Sequence, residues 1–376
     1  MALGDGLPHA SPGGGRLHAV GGLLMDFYLF LPGQWWDRGR PVKQLYEEML
    51  EQAVLAEQLG YDGVWLAEQN LVSFLAAPEP LQLAAMIAQR TERIRIGVAV
   101  FVLPFHHPLR LAGAVSQIDQ LSGGRFDVAV GRGASPYQMR QFEVGRQFPG
   151  EFDEAASRAF FAEHTRIMVD HWTAQDALSH DGRFFSYPNA TVLPPPLQMP
   201  HPPLWIAALS PRSMQWAVKL GFDSNFIFSP FREPFSYVEE VYGAFARALE
   251  EQGRPRSSVK FGVNRMTYVG EASDTSDVLR YVRMNQRIVE QQLGNAERVE
   301  RGEYVVEHPI SDDEPELELM HANIAFGDVA EVREKLDGYA RLGVDMFSSW
   351  HNVGQPHERV VNSMELFAKE VMPEFR

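Results

Sequence analysis

Several short stretches of this chain combine residue types that can act together chemically. Ser210-Pro211-Arg212-Ser213 follows the apolar run Leu204–Ala208. A serine directly before a proline suits a helix start, because its hydroxyl caps free N–H groups and proline fits the first helical position. The same turn can bind an anion such as phosphate: exposed N–H groups and the positive end of the helix dipole attract it, and Ser and Arg add donors. Gly131-Arg132-Gly133 ends another apolar run, Phe126–Val130. Between two small residues Arg132 can approach a bound anion closely, or it can be an ordinary structural arginine. The stretch is not a dinucleotide fingerprint, since Pro136 stands at the third glycine position and no helix opens at once.

Glu68-Gln69-Asn70 leaves the apolar run Gly63–Ala67 as an acid followed by two amides. It reads either as a polar strand end or as a group that recognises a ring with hydrogen-bonding edges. Gln69 and Asn70 do not titrate, so neither can be a conventional acid or base. His106-His107 cannot both face one point on a strand, and His164 and His171, seven apart on one helix, lack a third ligand nearby. No metal site is expected.

These groups need a frame. Strand-length apolar runs alternate with helix-length amphipathic ones: Asp26–Leu31, Gly63–Ala67, Ile94–Leu103, Phe126–Val130, Leu204–Ala208, Ser224–Phe228, Val259–Val269 and Val344–Ser349 read as eight strands. Helices are expected at Val42–Leu59, Glu79–Thr91, Pro108–Leu121, Glu154–Trp172, Pro211–Leu220 and near His357–Val371. Continuous rather than alternating strands imply burial on both faces, and intervening helices imply parallel crossovers. The expected class is α/β, a (β/α)8 TIM barrel with insertions after strands 4 and 7; an open doubly wound sheet would give a similar string. The insertions are Ala134–Pro203 and the acidic stretch Asn285–Asn323, the latter a candidate lid.

With 34 basic against 49 acidic residues the formal net charge is −15, which would repel nucleic-acid backbones. No cysteine is present, so disulfides, thiol nucleophiles and cysteine-based metal sites are excluded. No apolar run approaches the length of a membrane span, and a cytoplasmic location is expected. Residues 1–24 are rich in Gly and Pro and read as a flexible leader, an expression remnant or an upstream start, with 25–376 as a single domain.

The ordered motifs then carry a resemblance. Leu103-Pro104-Phe105-His106-His107-Pro108-Leu109-Arg110, Ile118-Asp119-Gln120-Leu121-Ser122-Gly123-Gly124-Arg125-Phe126 and Gly131-Arg132-Gly133 resemble the bacterial luciferase-like flavin monooxygenase family. Pro195–Ile206, the Ser210 helix, Phe326-Gly327-Asp328, Leu342–Asp345 and Leu366–Pro373 extend the match over about residues 25–373. The resemblance implies a barrel that binds FMN, commonly as a homodimer. Reduced FMN and dioxygen would act through a flavin peroxide that passes one oxygen to a small organic substrate, the reduced flavin coming from a separate flavin reductase. Arg132 and Ser210 would hold the FMN phosphate, with Leu209 and the backbone near Ser213 and Met214. The family's non-prolyl cis peptide under the flavin falls at Ala99-Val100, and Glu68 matches its acidic residue at the second strand end. The two following positions, often histidines and one of them catalytic in the luciferases, are here Gln69 and Asn70. Those amides would orient a peroxide or carbonyl by hydrogen bonding, and His106, His107 and Tyr137 are the nearest titrating candidates. Trp35, Trp36, Phe74, Phe105, Phe226 and Phe228 are candidates to line an apolar pocket, or to be barrel packing. The alternatives are a relative that uses a deazaflavin coenzyme for hydride transfer and a flavin-binding protein without activity.

Overall fold

A computed structural model describes residues 24–35, 39–71, 75–133, 135–146, 153–230, 233–294 and 314–376. Eight parallel strands close on themselves: β1 (Asp26–Leu31), β2 (Gly63–Leu66), β3 (Arg95–Val102), β4 (Phe126–Gly131), β7 (Leu204–Ala207), β8 (Asn225–Phe228), β9 (Phe261–Val269) and β11 (Met346–Trp350). Each pairs with the next, β8 with β9, β9 with β11, and β11 returns to β1 through Asp26↔Met346 to Leu29↔Ser349. The expected (β/α)8 barrel is therefore the fold, within a residue or two at most strand ends.

The apolar strand runs divide by parity. Outward side chains pack against the helix ring of α1 (Val42–Leu59), α2 (Pro80–Arg90), α3 (Pro108–Leu121), α6 (Pro211–Lys219), α7 (Phe235–Glu251), α10 (Val329–Leu342) and α11 (His357–Leu366). Inward side chains form a second core that includes Tyr28, Phe30, Trp65, Trp205, Met266, Met346 and Trp350. Large side chains lie over glycines there: a Cβ at Gly97 would stand 2.2 Å from the Trp65 ring, and one at Gly63 2.2 Å from Tyr28. At the end of the barrel where the strands begin, Asp127 accepts from Tyr28 (2.9 Å) and from both Nε and Nη2 of Arg95 (2.9 and 2.7 Å). Deep burial, then the Asp127 charge, pushes the Tyr28 phenol well above its ordinary range.

The insertion after β4 carries α4 (Pro136–Gln141), α5 (Glu154–Thr173) and an antiparallel hairpin, β5 (Leu178–Asp181) with β6 (Ser186–Ala190). The one after β9 carries α8 (Ala272–Gly294), α9 (Leu317–Asn323) and β10 (Ala325–Gly327), which pairs with the far end of β9. The first residues of the acidic stretch Asn285–Asn323 thus continue a helix, and buried Asn285 donates to Val353 O (2.8 Å), tying that helix to the loop after β11. The remainder of the suggested lid, residues 295–313, lies outside the described residues, as do 1–23 of the leader, Trp36 and Phe74.

Candidate functional site at the C-terminal ends of the strands

Ser210 caps α6. Its Oγ accepts from Ser213 N (3.2 Å), while Ser213 Oγ accepts from Ser210 N (2.9 Å) and Leu209 N (3.1 Å). Met214 is fully buried, and its N–H is donated within the helix to Ser210 O. Arg132 leaves β4 with its guanidinium 5.4 Å from the centre of the Trp216 ring of α6. Arg158 of α5 approaches the same ring at 5.0 Å and pairs with Glu154 at 2.8 Å. Cation–π attraction holds both arginines against Trp216 of α6. Burial, and next the Arg158 charge, work against the Arg132 cation. No carboxylate or carbonyl among the described residues accepts a hydrogen bond from Arg132, so a half-buried cation stands beside the like charge of Arg158, with Glu154 offsetting it only through space. Such an arrangement has a strong electrostatic demand for an anion.

The glycines flanking Arg132 have a packing reason. A Cβ at Gly131 would lie 2.7 Å from Val100 Cγ2, and Gly133, at φ +77°, sits against Val102 Cγ1 and the Met139 tip. β3 and β4 therefore approach closely beside the Ala99–Val100 peptide, which is cis. Ala67, Ala99, Ala129 and Ala207 present small side chains to the inner core here.

Glu68, 5 % exposed at the end of β2, accepts from Val102 N (2.8 Å) and meets His106 Nε2 at 2.9 and 3.0 Å. Asn70 Nδ2 donates to Glu68 Oε1 (3.4 Å). An ionised carboxylate only accepts, so against Glu68 the Nε2 of His106 carries a proton, and Nδ1 is the acceptor in the neutral ring. His106, which the sequence offered without a partner, is thus half of an acid–imidazole pair. His107 is exposed and packs edge-on against Phe185 of the hairpin (5.4 Å). Gln69 uses its backbone N–H on Ala77 O (2.8 Å). Tyr137 is half-buried on α4, next to Gln138, whose amide donates to Asn70 O and ties α4 to the same strand end.

The expected aromatic pocket needs correction. Phe226 and Phe228 point outward into the helix layer, against Phe245 and Tyr237, because strand alternation gives the inward position to Ile227. Trp35 packs at the edge of the outer core with Nε1 donating to Arg40 O, whereas Phe105 meets Phe142, an exposed ring on the loop after α4. Arg158 and Trp216 were not singled out in the sequence: both sit within amphipathic helical stretches, where an arginine or a tryptophan is ordinary. Among the described residues no cluster of His, Asp or Glu could hold a metal ion, and no helix is long and apolar enough to cross a membrane.

Residues 25–346 match the model of a family described as luciferase-like monooxygenase. The oxygenase component of a flavin-dependent trigonelline monooxygenase from Acinetobacter baylyi is 31% identical over 359 residues, 93% of this chain and 96% of that protein. Among solved structures, the oxygenating constituent of 3,6-diketocamphane monooxygenase from Pseudomonas putida, in complex with FMN, superposes with TM-score 0.73 at 19% identity over 93% of this chain and 98% of its own. An F420-dependent secondary alcohol dehydrogenase reaches the same TM-score of 0.73 at 17% identity, over 94% and 98%. The last two likenesses concern the fold alone.

Proposed function

The chain belongs to the luciferase-like monooxygenase family, and from that premise we propose that it is the oxygenase of a two-component flavin-dependent monooxygenase, using reduced FMN and dioxygen on a small organic substrate. The observation that supports the reading is Arg132, a half-buried guanidinium with no hydrogen-bond acceptor among the described residues, stacked with Arg158 on Trp216 of α6, the helix that Ser210 caps. Arg132, Ser210 and the first turn of α6 would hold the phosphate, with Leu209, Ser213 and Met214 forming that turn. Ala99 and Val100 would support the ring. FMN, when bound in reduced form, supplies the electrons that activate dioxygen.

The chain's own residues orient, exclude water and manage protons. Glu68 fixes the tautomer of His106, and Nδ1 of that ring is the group offered to exchange a proton with a reacting molecule. Gln69 and Asn70, which cannot titrate, position polar groups by hydrogen bonding, and Tyr137 stands on the short helix beside them. In this reading His106 replaces the histidine that the luciferases carry after β2. Residues 25–376 act as one domain, and a homodimer and a reductase partner go with it. The A. baylyi relative makes trigonelline the first compound in a substrate panel.

Anaerobic titration with reduced FMN and, in parallel, with the reduced deazaflavin coenzyme tests the cofactor. Tight binding of FMN that Arg132→Met weakens is the expected result. A preference for the deazaflavin would move the protein to hydride transfer.

A further inference from the structure

The insertion after β4 is the source of a second layer of organisation around the Glu68–His106 pair. His164 lies in the middle of α5, with no exposed surface. Its Nε2 is 3.2 Å from His106 O. A carbonyl oxygen only accepts, so Nε2 carries the proton and the ring is the neutral Nε2–H tautomer. The other nitrogen, Nδ1, is buried without a partner. A buried unpaired polar atom is costly, and a leucine in this place would avoid that cost. What the imidazole contributes in return is the bond to His106 O, which no backbone N–H among the described residues claims.

The neighbouring residue reinforces the arrangement. Glu163 gathers the turn of the β5–β6 hairpin: its carboxylate accepts from Arg183 N (3.1 Å), Phe184 N (3.1 Å) and Phe185 N (2.9 Å), with His180 Nε2 at 3.1 Å. The hairpin turn places the Phe185 ring against both His164 (5.7 Å) and His107 (5.4 Å). Glu163 thus holds the hairpin and His164 holds the turn before α3, one residue apart on the same helix.

We propose that His164 is a positioning residue: its Nε2–H bond to His106 O fixes the turn that carries His106, and thereby holds the His106 imidazole on Glu68. The inference rests on the catalytic reading of His106 only for its consequence in turnover, not for the geometry. The titratable groups around His106 are Glu68 from β2, His107 beside it and His164 from α5. His164 itself stays neutral across the working range, burial having pushed it down to about 3.

The test uses the full chain and three variants. His164→Leu keeps the bulk and removes the donor, His164→Asn keeps polarity but is too short to reach, and His164→Gln keeps a donor of suitable length. Nitrogen-15 NMR of the His106 ring reads its tautomer directly, with reduced-FMN affinity as a control for folding. In the wild type and in His164→Gln, His106 is expected as the Nε2–H tautomer. In His164→Leu and His164→Asn the single tautomer should give way to a mixture of the two, the Nδ1 and Nε2 shifts moving towards each other. Amide exchange at Leu103–His107 should accelerate in the same two variants. An unchanged His106 tautomer and unchanged amide exchange in a folded His164→Leu or His164→Asn protein would overturn the proposal. If His106→Gln leaves turnover intact while those variants still shift the ring, the positioning role stands and the catalytic assignment of His106 falls.

Discussion

The proposed function rests its chemistry on Arg132 and His106, and each gives a separable prediction. Replacing Arg132 with Met removes a charge-assisted contact to an anion, which should weaken reduced-FMN binding by roughly 10- to 100-fold. Fluorescence titration measures it, and the melting temperature should fall only slightly, since Arg132 gives up its stacking on Trp216 but no hydrogen bond among the described residues. Replacing His106 with Gln should lower kcat by roughly 10²- to 10⁴-fold with little effect on cofactor affinity, and Glu68→Gln should act in the same direction through tautomer and orientation. Arg132 was legible in the sequence because two glycines at a strand end isolate it. The partnership of Glu68 and His106 was not: they stand 38 residues apart on adjacent strand ends, and a strand end does not announce which neighbour it faces. Arg158 was hidden for a similar reason, as one charged residue on a helix of ordinary amphipathic composition.

Two elements can be tested for what they do beyond packing. Ser210 is both a helix cap and a proposed phosphate ligand, and one substitution separates these roles. Ser210→Asp preserves capping, since aspartate is at least as good a cap, while placing a negative charge against the phosphate. Thermal stability should be retained and reduced-FMN affinity should fall; equal loss of both would leave only the capping role. The closeness of β3 and β4 is tested by Gly131→Ala. Its Cβ would stand 2.7 Å from Val100 Cγ2, a β-branched side chain with little room to yield. Overpacking of this kind costs about 1–3 kcal/mol, and chemical denaturation should read it. The helices α1, α2, α3, α5, α6 and α11 were legible from apolar periodicity, with Pro at the first helical position of α2, α3 and α6, whereas α4, α7, α8, α9 and α10 were not picked out. The β5–β6 hairpin was not, because its strands alternate between half-buried and exposed residues and offer no apolar run. Nor were the outward-facing Phe226 and Phe228, since alternation gives parity but not which parity faces the barrel axis.

At the scale of the molecule, two buried histidines link stability to pH. His164 and His351 are both fully buried and both pushed down to about 3, chiefly by burial. His351 sits between Tyr61 OH (3.2 Å) and Ser363 Oγ (2.9 Å), bracing the outer face of the barrel against α11. Each binds a proton in the unfolded chain near pH 6.5 but not in the folded one until about 3. The unfolded state therefore takes up more protons in that interval, and their contribution is complete above about 6.5 and lost as pH falls towards 3. The slope approaches about 1.4 kcal/mol per pH unit for each histidine. Urea midpoints between pH 7 and 5 should fall accordingly, and His351→Gln should flatten the dependence. The barrel itself was legible from eight doubly buried strands separated by helices; its closure was not, because β11 finds β1 only in three dimensions.

The central claim is that this barrel binds reduced FMN and controls what dioxygen does to it. The most direct measurement mixes the anaerobic protein–reduced FMN complex with dioxygen and follows absorbance by stopped flow. The account predicts reoxidation slower than that of free reduced FMN, through a transient spectrum distinct from both the reduced and the oxidised cofactor. Failure of reduced FMN to bind, or reoxidation at the rate and with the spectra seen free in solution, would contradict it.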